Sequence, residues 1–194
     1  MMKFKFKIQQ YQTEAVENTV SVFTGQPSYR VAEYRRDLGK RAQQQIDFEG
    51  ETGFRNHRIE LDNRALLKNI NAIQNLYDIT PSTTLSKGVG AVNLDIEMET
   101  GTGKTYTYIK TMYELNKLYG WTKFIIVVPS IAIREGVVKS LEIMKEHFAE
   151  EYNKPMESFV YDSKNLSPIE SFATNPNIYV MVINTQAFNA RGED

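Results

Sequence analysis

The segment that most constrains this chain is 98–105, which reads Met-Glu-Thr-Gly-Thr-Gly-Lys-Thr. An apolar run at 91–96 precedes it and a segment with helical spacing at 106–119 follows it, so the pattern predicts a strand, a tight loop and a helix. A glycine-rich loop in this context binds phosphate, because its backbone N–H groups form a concave nest and the helix adds its positive end. The segment therefore predicts a nucleotide-binding site.

The loop residues have distinct expected roles. Gly101 and Gly103 let the backbone turn inward, Lys104 can reach the β- and γ-phosphates, and the Thr105 hydroxyl can bind Mg²⁺. The first position of the general phosphate-loop pattern is glycine, and here it is Met98. The competing interpretation is a glycine-rich turn that carries an exposed lysine.

A helix is predicted at 11–23, where apolar residues share one face. Its second residue, Gln12, carries an amide that offers both a donor and an acceptor, which is what the edge of an adenine base requires. Ahead of it, 2–8 alternates lysines with apolar residues and predicts a short strand. The lysine face of that strand is interpreted as a solvated edge, with DNA contact as the alternative.

The stretch 25–90 differs in character and is interpreted as an insertion. It contains a charged, arginine-rich segment at 30–41, a predicted helix at 61–77 with Asp62 as its cap, and a loop at 80–90. The arginines are interpreted as a solvated helix face rather than a DNA contact. His57, and His147 further on, have no partners at metal-ligand spacing, so both are predicted to be structural.

Three more strands are predicted after the loop and its helix, at 121–129, 158–162 and 177–184. The first is continuously apolar and is expected to be a central strand buried on both faces, followed by a helix capped by Ser130. Strands alternating with helices predict an α/β fold with a parallel sheet. The phosphate loop, Pro129 with Ser130, and Thr185 should then share the carboxyl edge of that sheet.

Composition narrows the class of protein further. The formal net charge is −1, so no global basic field indicates nucleic acid, although a local basic face remains possible. The chain has no cysteine, which excludes disulfides and thiolate metal sites. No apolar run reaches the roughly 18 residues of a membrane-spanning helix. We expect a cytoplasmic protein without a membrane partner.

The motifs resemble those of the first RecA-like domain of superfamily 2 helicases and translocases. More narrowly, 95–106 and 127–137 resemble the Res subunit of type III restriction-modification enzymes, in whose superfamily methionine or alanine commonly stands at the position of Met98. The resemblance implies that Gln12 belongs to an adenine-sensing motif, and that Pro129, Ser130 and Thr185 contact a nucleic-acid backbone. It implies ATP and Mg²⁺ as cofactors, and DNA and a methyltransferase subunit as partners.

The resemblance also sets the expected roles and boundaries. Lys104 and Thr105 are expected to be catalytic, with Thr105 as the Mg²⁺ ligand. The expected organisation is a strand and adenine-motif helix at 1–24, an insertion at 25–90, and a RecA-like P-loop NTPase domain at 91–194 that is incomplete at its C-terminus. The full set of expected nucleotide-binding residues is Gln12, Thr100, Gly101, Thr102, Gly103, Lys104, Thr105 and Tyr106.

The chain also departs from the family pattern. The Asp-Glu box that holds Mg²⁺ and orients the attacking water is missing, since the terminal pair Glu193-Asp194 is in reverse order. The second RecA-like domain and the nuclease domain are missing too. We therefore expect an N-terminal piece of an ATP-dependent restriction endonuclease that is inactive by itself. The alternatives are another superfamily 2 DNA or RNA helicase, and a non-helicase P-loop binding module or small-molecule kinase.

Overall fold

A computed structural model describes residues 6–29, 32–35, 52–86, 88, 90 and 92–186. Five helices and five strands lie within these ranges: α1 Gln10–Ser21, β1 Ala32–Arg35, β2 Thr52–Arg55, α2 Asn63–Leu76, α3 Lys104–Tyr119, β3 Lys123–Val128, α4 Ile131–Tyr152, β4 Met156–Val160, α5 Ser167–Thr174 and β5 Ile178–Asn184. They form two compact units, one made of 6–28 with 58–119, and one of 120–186 with the described part of 29–57. The predicted insertion at 25–90 thus contributes to both units.

The first unit is a group of three helices, and each was predicted close to its observed bounds. Val16 and Val20 are buried on α1, one turn apart, on the face that packs against α3. α2 begins where the sequence predicts, because the Asp62 carboxylate accepts a hydrogen bond from Ala65 N–H at 2.7 Å. Leu66 of α2 is fully buried and completes the packing of this unit.

The strand predicted at 91–96 is not present in the described residues. Residues 92–99 have no helix or strand, and Asp95, Ile96 and Glu97 are exposed. Polar residues alternate with apolar ones here, and such a segment becomes a strand only where a neighbouring strand takes up its backbone hydrogen bonds. No described strand pairs with it. The strand predicted at 2–8 is likewise not formed at 6–8, and the rest of it lies outside the described residues.

The second unit contains a three-stranded parallel sheet in the order β3-β5-β4. β5 is the central strand and is buried along nearly its whole length, with Ile178, Val180 and Val182 fully inaccessible to solvent. α4 connects β3 to β4 and packs against the sheet, and α5 connects β4 to β5. Crossover helices of this kind are what allow parallel strands to pair. The predicted α/β class, with a parallel sheet flanked by helices, is confirmed.

The prediction that β3 is a central strand is wrong for the described sheet. β3 pairs only with β5, in a register that runs from Lys123 opposite Tyr179 to Val128 opposite Asn184. Its side chains Ile125 and Val127 are 54% and 52% exposed. A continuous apolar run indicates a strand that could be buried on both faces, but the order of pairing decides which strand is central. That position belongs to β5.

The remaining elements complete the second unit. β1 and β2 form an antiparallel pair, and β2 packs against α5. Asn56, just after β2, accepts hydrogen bonds from the backbone N–H groups of Thr122 and Lys123, both at 2.8 Å. Of the arginine-rich segment predicted at 30–41, only 32–35 lies in the described residues, and it forms β1, so the interpretation as a helix face is wrong for those residues.

Candidate nucleotide-binding site

The loop before α3 has the backbone conformation that its glycines allow. Gly101 and Gly103 have φ angles of 85° and 88°, a left-handed region that residues with a Cβ rarely adopt. α3 begins at Lys104, and the Gly103 carbonyl accepts the first helical hydrogen bond, from Thr107 N–H at 3.0 Å. The N–H groups of the first helical turn therefore have no acceptor within the helix, and no acidic side chain lies in that turn. Such a helix end favours an anion.

Lys104 is exposed and folds back over the loop. Its Nζ donates a hydrogen bond to the carbonyl oxygen of Met98 at 2.7 Å, so the first and seventh residues of the loop segment are joined. Thr102 closes the turn between them, with its hydroxyl donating to Glu99 O at 2.6 Å. A polyphosphate oxygen offers the ammonium a charged acceptor in place of a neutral carbonyl, and charge-assisted hydrogen bonds are about twice as strong as neutral ones.

Gln12 projects from α1 onto the same loop. It is only 8% exposed, and its Nε2 donates to the carbonyl oxygen of Thr102 at 2.8 Å. An amide nitrogen carries two hydrogens, so one donor and the oxygen acceptor remain for a ligand. A donor and an acceptor on one side chain are what the N7 and N6 edge of adenine can pair with. Gln12 therefore holds the loop and keeps a donor and an acceptor of its amide unused.

Tyr11 is a contact residue that the sequence reasoning missed. Its hydroxyl donates to the same Thr102 oxygen at 3.0 Å, so two neighbouring side chains of α1 bind one carbonyl. Its position beside Gln12 was the only sequence signal. An exposed tyrosine on a helix has no local pattern that separates it from a solvated one.

Gly103 is constrained by its surroundings as well as by its φ angle. A Cβ at this position would overlap Gln12 Nε2, which lies against the backbone where a side chain would start. Gly101 has a similar φ angle, yet a Cβ there would meet no atom within 4 Å. Of the two loop glycines, only Gly103 is therefore closely approached by Gln12.

The other predicted loop residues lie around this core. Thr100 is exposed, Thr105 is half-buried in the first turn of α3, and Tyr106 is buried with its ring 5.8 Å from that of Phe6. Tyr106 thus packs in the unit's interior. In the described part of the chain, no group of three or more acidic or histidine side chains could hold a metal ion. In phosphate-loop NTPases a Ser or Thr hydroxyl of the loop holds Mg²⁺ together with an acidic residue from another strand, and Thr105 stands at the position of that hydroxyl.

The residues predicted to contact nucleic acid come together in the second unit. Thr185 follows β5 and its hydroxyl donates to the carbonyl oxygen of Pro129, which follows β3, at 3.3 Å. Ser130 is the N-cap of α4, and its Oγ accepts from Ile133 N–H at 3.3 Å. A phosphate accepts hydrogen bonds only, so a hydroxyl must donate to it. The Ser130 proton is not used by the cap, whereas the Thr185 proton is already bonded to Pro129.

Arg134 is a cation at this edge, and the sequence reasoning did not single it out. Its guanidinium bonds Asn184 Oδ1 at 3.3 Å and pairs with Glu135 at 2.9 Å. It therefore ties the end of β5 to the first turn of α4. Asn184 is 4% exposed, so this contact belongs to the interior of the unit.

The two histidines lie beside an aromatic ring and a carboxylate. The His57 ring lies 4.5 Å from the Tyr29 ring, and His147 Nε2 lies 3.4 Å from a Glu151 carboxylate oxygen one turn along α4. No helix in the described part of the chain has the length and apolar character needed to span a membrane.

Comparisons with known proteins agree on one family. The family model described as "Type III restriction enzyme, res subunit" matches residues 5–193. The chain is 37% identical over 153 residues to the Res subunit of the type III restriction-modification enzyme EcoP15I from Escherichia coli. It has the same identity over the same length to the EcoPI Res subunit from Escherichia phage P1. It is 48% identical over 62 residues to the StyLTI Res subunit from Salmonella typhimurium.

The comparisons differ in how much of each protein they cover. The first two alignments cover 70% of this chain and 16% of the relative's length. The third covers 31% of this chain and 6% of the relative. The chain therefore spans about one sixth of the length of the first two relatives.

Proposed function

This chain belongs to the type III restriction enzyme Res subunit family, and we propose that it is the ATP-binding motor segment of such a subunit. The single observation that carries the proposal is the loop before α3. Its two left-handed glycines, its lysine and the N-terminal turn of α3 occur together in one compact unit. In the complete subunit, this segment would bind the ATP that drives movement along DNA and cleavage of it.

The loop residues have separate tasks in this proposal. The backbone N–H groups from 103 to 106 hold phosphate oxygens, and Lys104 moves from the Met98 carbonyl to the β- and γ-phosphates. The Thr105 hydroxyl binds Mg²⁺, which neutralises charge on the phosphates when bound. Gln12 reads the adenine edge with the donor and acceptor that its contact to Thr102 leaves unused.

The complete subunit needs partners and residues beyond these. The relatives are named as parts of restriction-modification enzymes, so we propose DNA and a methyltransferase subunit as partners. The edge formed by Pro129, Ser130 and Thr185 is the proposed backbone contact. Contacts of that kind position the protein without reading sequence.

Calorimetry of nucleotide binding tests the ATP proposal. We expect Lys104→Ala to weaken ATP binding by at least about tenfold, because a charge-assisted hydrogen bond contributes about 1.5–3 kcal/mol. We expect Gln12→Ala to weaken ATP more than GTP, since only the adenine edge matches the amide. Lys139→Ala, an exposed lysine on α4, is the matched control. Unchanged ATP affinity in Lys104→Ala would rule out this placement of the phosphates.

A further inference from the structure

Two side chains of α1 bind the same backbone atom of the phosphate loop. Tyr11 Oη and Gln12 Nε2 both donate to the carbonyl oxygen of Thr102, at 3.0 Å and 2.8 Å. We propose that Tyr11 is a positioning residue of the phosphate loop, which fixes the orientation of the peptide between Thr102 and Gly103. The proposal rests on the phosphate-binding function proposed above.

The peptide between Thr102 and Gly103 has a fixed geometry. In a planar trans peptide, the C=O and N–H bonds point in opposite directions, and the described chain contains no cis peptide. The Thr102 oxygen is held toward α1 by both donors. The Gly103 N–H, which belongs to the same peptide, must therefore point away from α1. The orientation of one expected phosphate donor is thus set by two side chains that lie 91 and 90 residues before Thr102 in the chain.

The orientation of this peptide has to be fixed by contacts from outside the loop. The residues on either side of Thr102 are Gly101 and Gly103, and both adopt positive φ angles. Glycine populates positive and negative φ about equally, so the loop backbone by itself resists rotation of this peptide only weakly. Within the loop, Thr102 bonds the Glu99 oxygen through its hydroxyl at 2.6 Å and through its own N–H at 3.4 Å, and neither bond uses an atom of the peptide between Thr102 and Gly103. α1 supplies the missing constraint, because its buried face packs against α3 and makes it a rigid support.

Tyr11 and Gln12 have different roles in the proposed site. The Gln12 amide serves the base as well as the loop in the proposed site, so its contact with Thr102 is shared with adenine recognition. The Tyr11 hydroxyl contacts the loop carbonyl. Tyr11 therefore acts on every phosphate ligand alike, whichever base it carries and even if it carries none.

The test is Tyr11→Phe in the 194-residue chain, titrated with ATP, GTP and inorganic tripolyphosphate in the presence of Mg²⁺. We expect affinity for all three to fall by a similar factor of about twofold to fivefold, the lower part of the range for one neutral hydrogen bond, because Tyr11 is 46% exposed. Tyr77→Phe removes a hydroxyl from an exposed tyrosine at the end of α2 and is the matched control, with no change expected.

Each outcome decides between distinct conclusions. Unchanged affinities in Tyr11→Phe would overturn the positioning role. A loss confined to ATP would also overturn it, because Tyr11 would then read the base. Failure of the unmodified chain to bind any of the three ligands would instead refute the phosphate-binding function, and the positioning role with it.

Hydrogen exchange gives a second readout. It needs no ligand, and it can be interpreted even if the substitution changes the overall stability. In Tyr11→Phe the amides of the loop at 98–105 should exchange faster than in the unmodified chain, while those within α2 stay as they are. Equal exchange in the loop would contradict the proposal. Thermal melts of both variants identify any general loss of folding, which would raise exchange in α2 as well.

Discussion

At the scale of single residues, the phosphate loop depends on where carbonyl groups point as much as on which side chains it carries. The Met98 carbonyl accepts a hydrogen bond from Lys104 Nζ, and the Thr102 carbonyl accepts hydrogen bonds from two side chains of α1. Held carbonyls leave the neighbouring N–H groups turned the other way, and a nest for anions needs that arrangement before the ligand arrives.

The two loop glycines provide a matched prediction. Gly101→Ala and Gly103→Ala both place a Cβ at positive φ, which costs about 1–2 kcal/mol, but only the second also overlaps Gln12 Nε2. We therefore expect Gly103→Ala to lower the free energy of unfolding and the ATP affinity more than Gly101→Ala does. Denaturant unfolding and calorimetry measure the two quantities.

The same pair has an internal control. Adding Gln12→Ala to Gly103→Ala removes the overlap and leaves the φ cost. The stability of that double variant should approach that of Gly101→Ala combined with Gln12→Ala. If Gly103→Ala and Gly101→Ala were equally stable without the second change, the close approach of Gln12 would have no energetic consequence.

At the scale of elements, β3 begins with a lysine, Lys123, whose charged form is disfavoured by burial. Lys123 Nζ donates to the carbonyl of Asn175 and lies 5.4 Å and 5.8 Å from the ring centres of Phe172 and Tyr179. Burial lowers the pKa of Lys123 to about 8, although the nearby Glu157 carboxylate opposes the shift. The unfolded chain keeps the ordinary pKa, so between about pH 8 and 10.5 it binds more protons than the folded one.

This pKa difference predicts how the stability of the folded chain changes with pH. Where the unfolded state binds more protons, stability rises with pH. The contribution of Lys123 to the free energy of unfolding should therefore become more favourable from pH 8 to 10.5. We expect Lys123→Met to be more stable than the unmodified chain below pH 8, and this advantage to shrink above it. Denaturant unfolding at several pH values measures it, with the exposed Lys139→Met as control. An advantage that grew with pH would contradict the expectation.

The N-terminus of α4 provides a second element-scale prediction. Ser130 caps the helix and retains a free proton, so it could donate to a DNA phosphate without losing its cap. Ser130→Gly costs only a few tenths of a kcal/mol as a cap change. In the complete Res subunit it should lower the DNA-stimulated ATPase rate and leave the basal rate unchanged. If both rates remained at their original values, Ser130 would be a helix cap only.

At the scale of the whole molecule, ATP binding and ATP turnover should separate. Phosphoryl transfer needs a positioned water and compensating charge in addition to the phosphate cradle, and the sequence contains no Asp-Glu pair in that order. We expect the 194-residue chain to bind ATP yet hydrolyse it at close to the background rate, with or without DNA. Phosphate release assays measure this.

A clear DNA-stimulated rate would show that an acidic residue within the chain performs the missing role. Glu97 and Glu99 would be the first to replace by glutamine, because both are exposed, Glu99 within the loop and Glu97 just before it. A rate abolished by Glu99→Gln and kept by Glu97→Gln would assign the role to one carboxylate.

The sequence alone determined the features that depend on near neighbours along the chain. The helical spacing and the Asp62 cap predicted α2, a continuous apolar run predicted β5, and the glycine pattern predicted the loop before α3. These signals act over three or four residues, so they are visible without a fold. The family was also recognisable at this level, because its motifs are short contiguous segments.

Only the tertiary structure decided the features that depend on distant partners. Which strand is central follows from the pairing order, and β5 rather than β3 takes that place. The contact of Tyr11 and Gln12 with Thr102 joins residues 91 and 90 positions apart, and the lowered pKa of Lys123 comes from burial beside α5 and β5. Hydrogen-bond partners and desolvation belong to the packed molecule, and no local pattern of residue types specifies them.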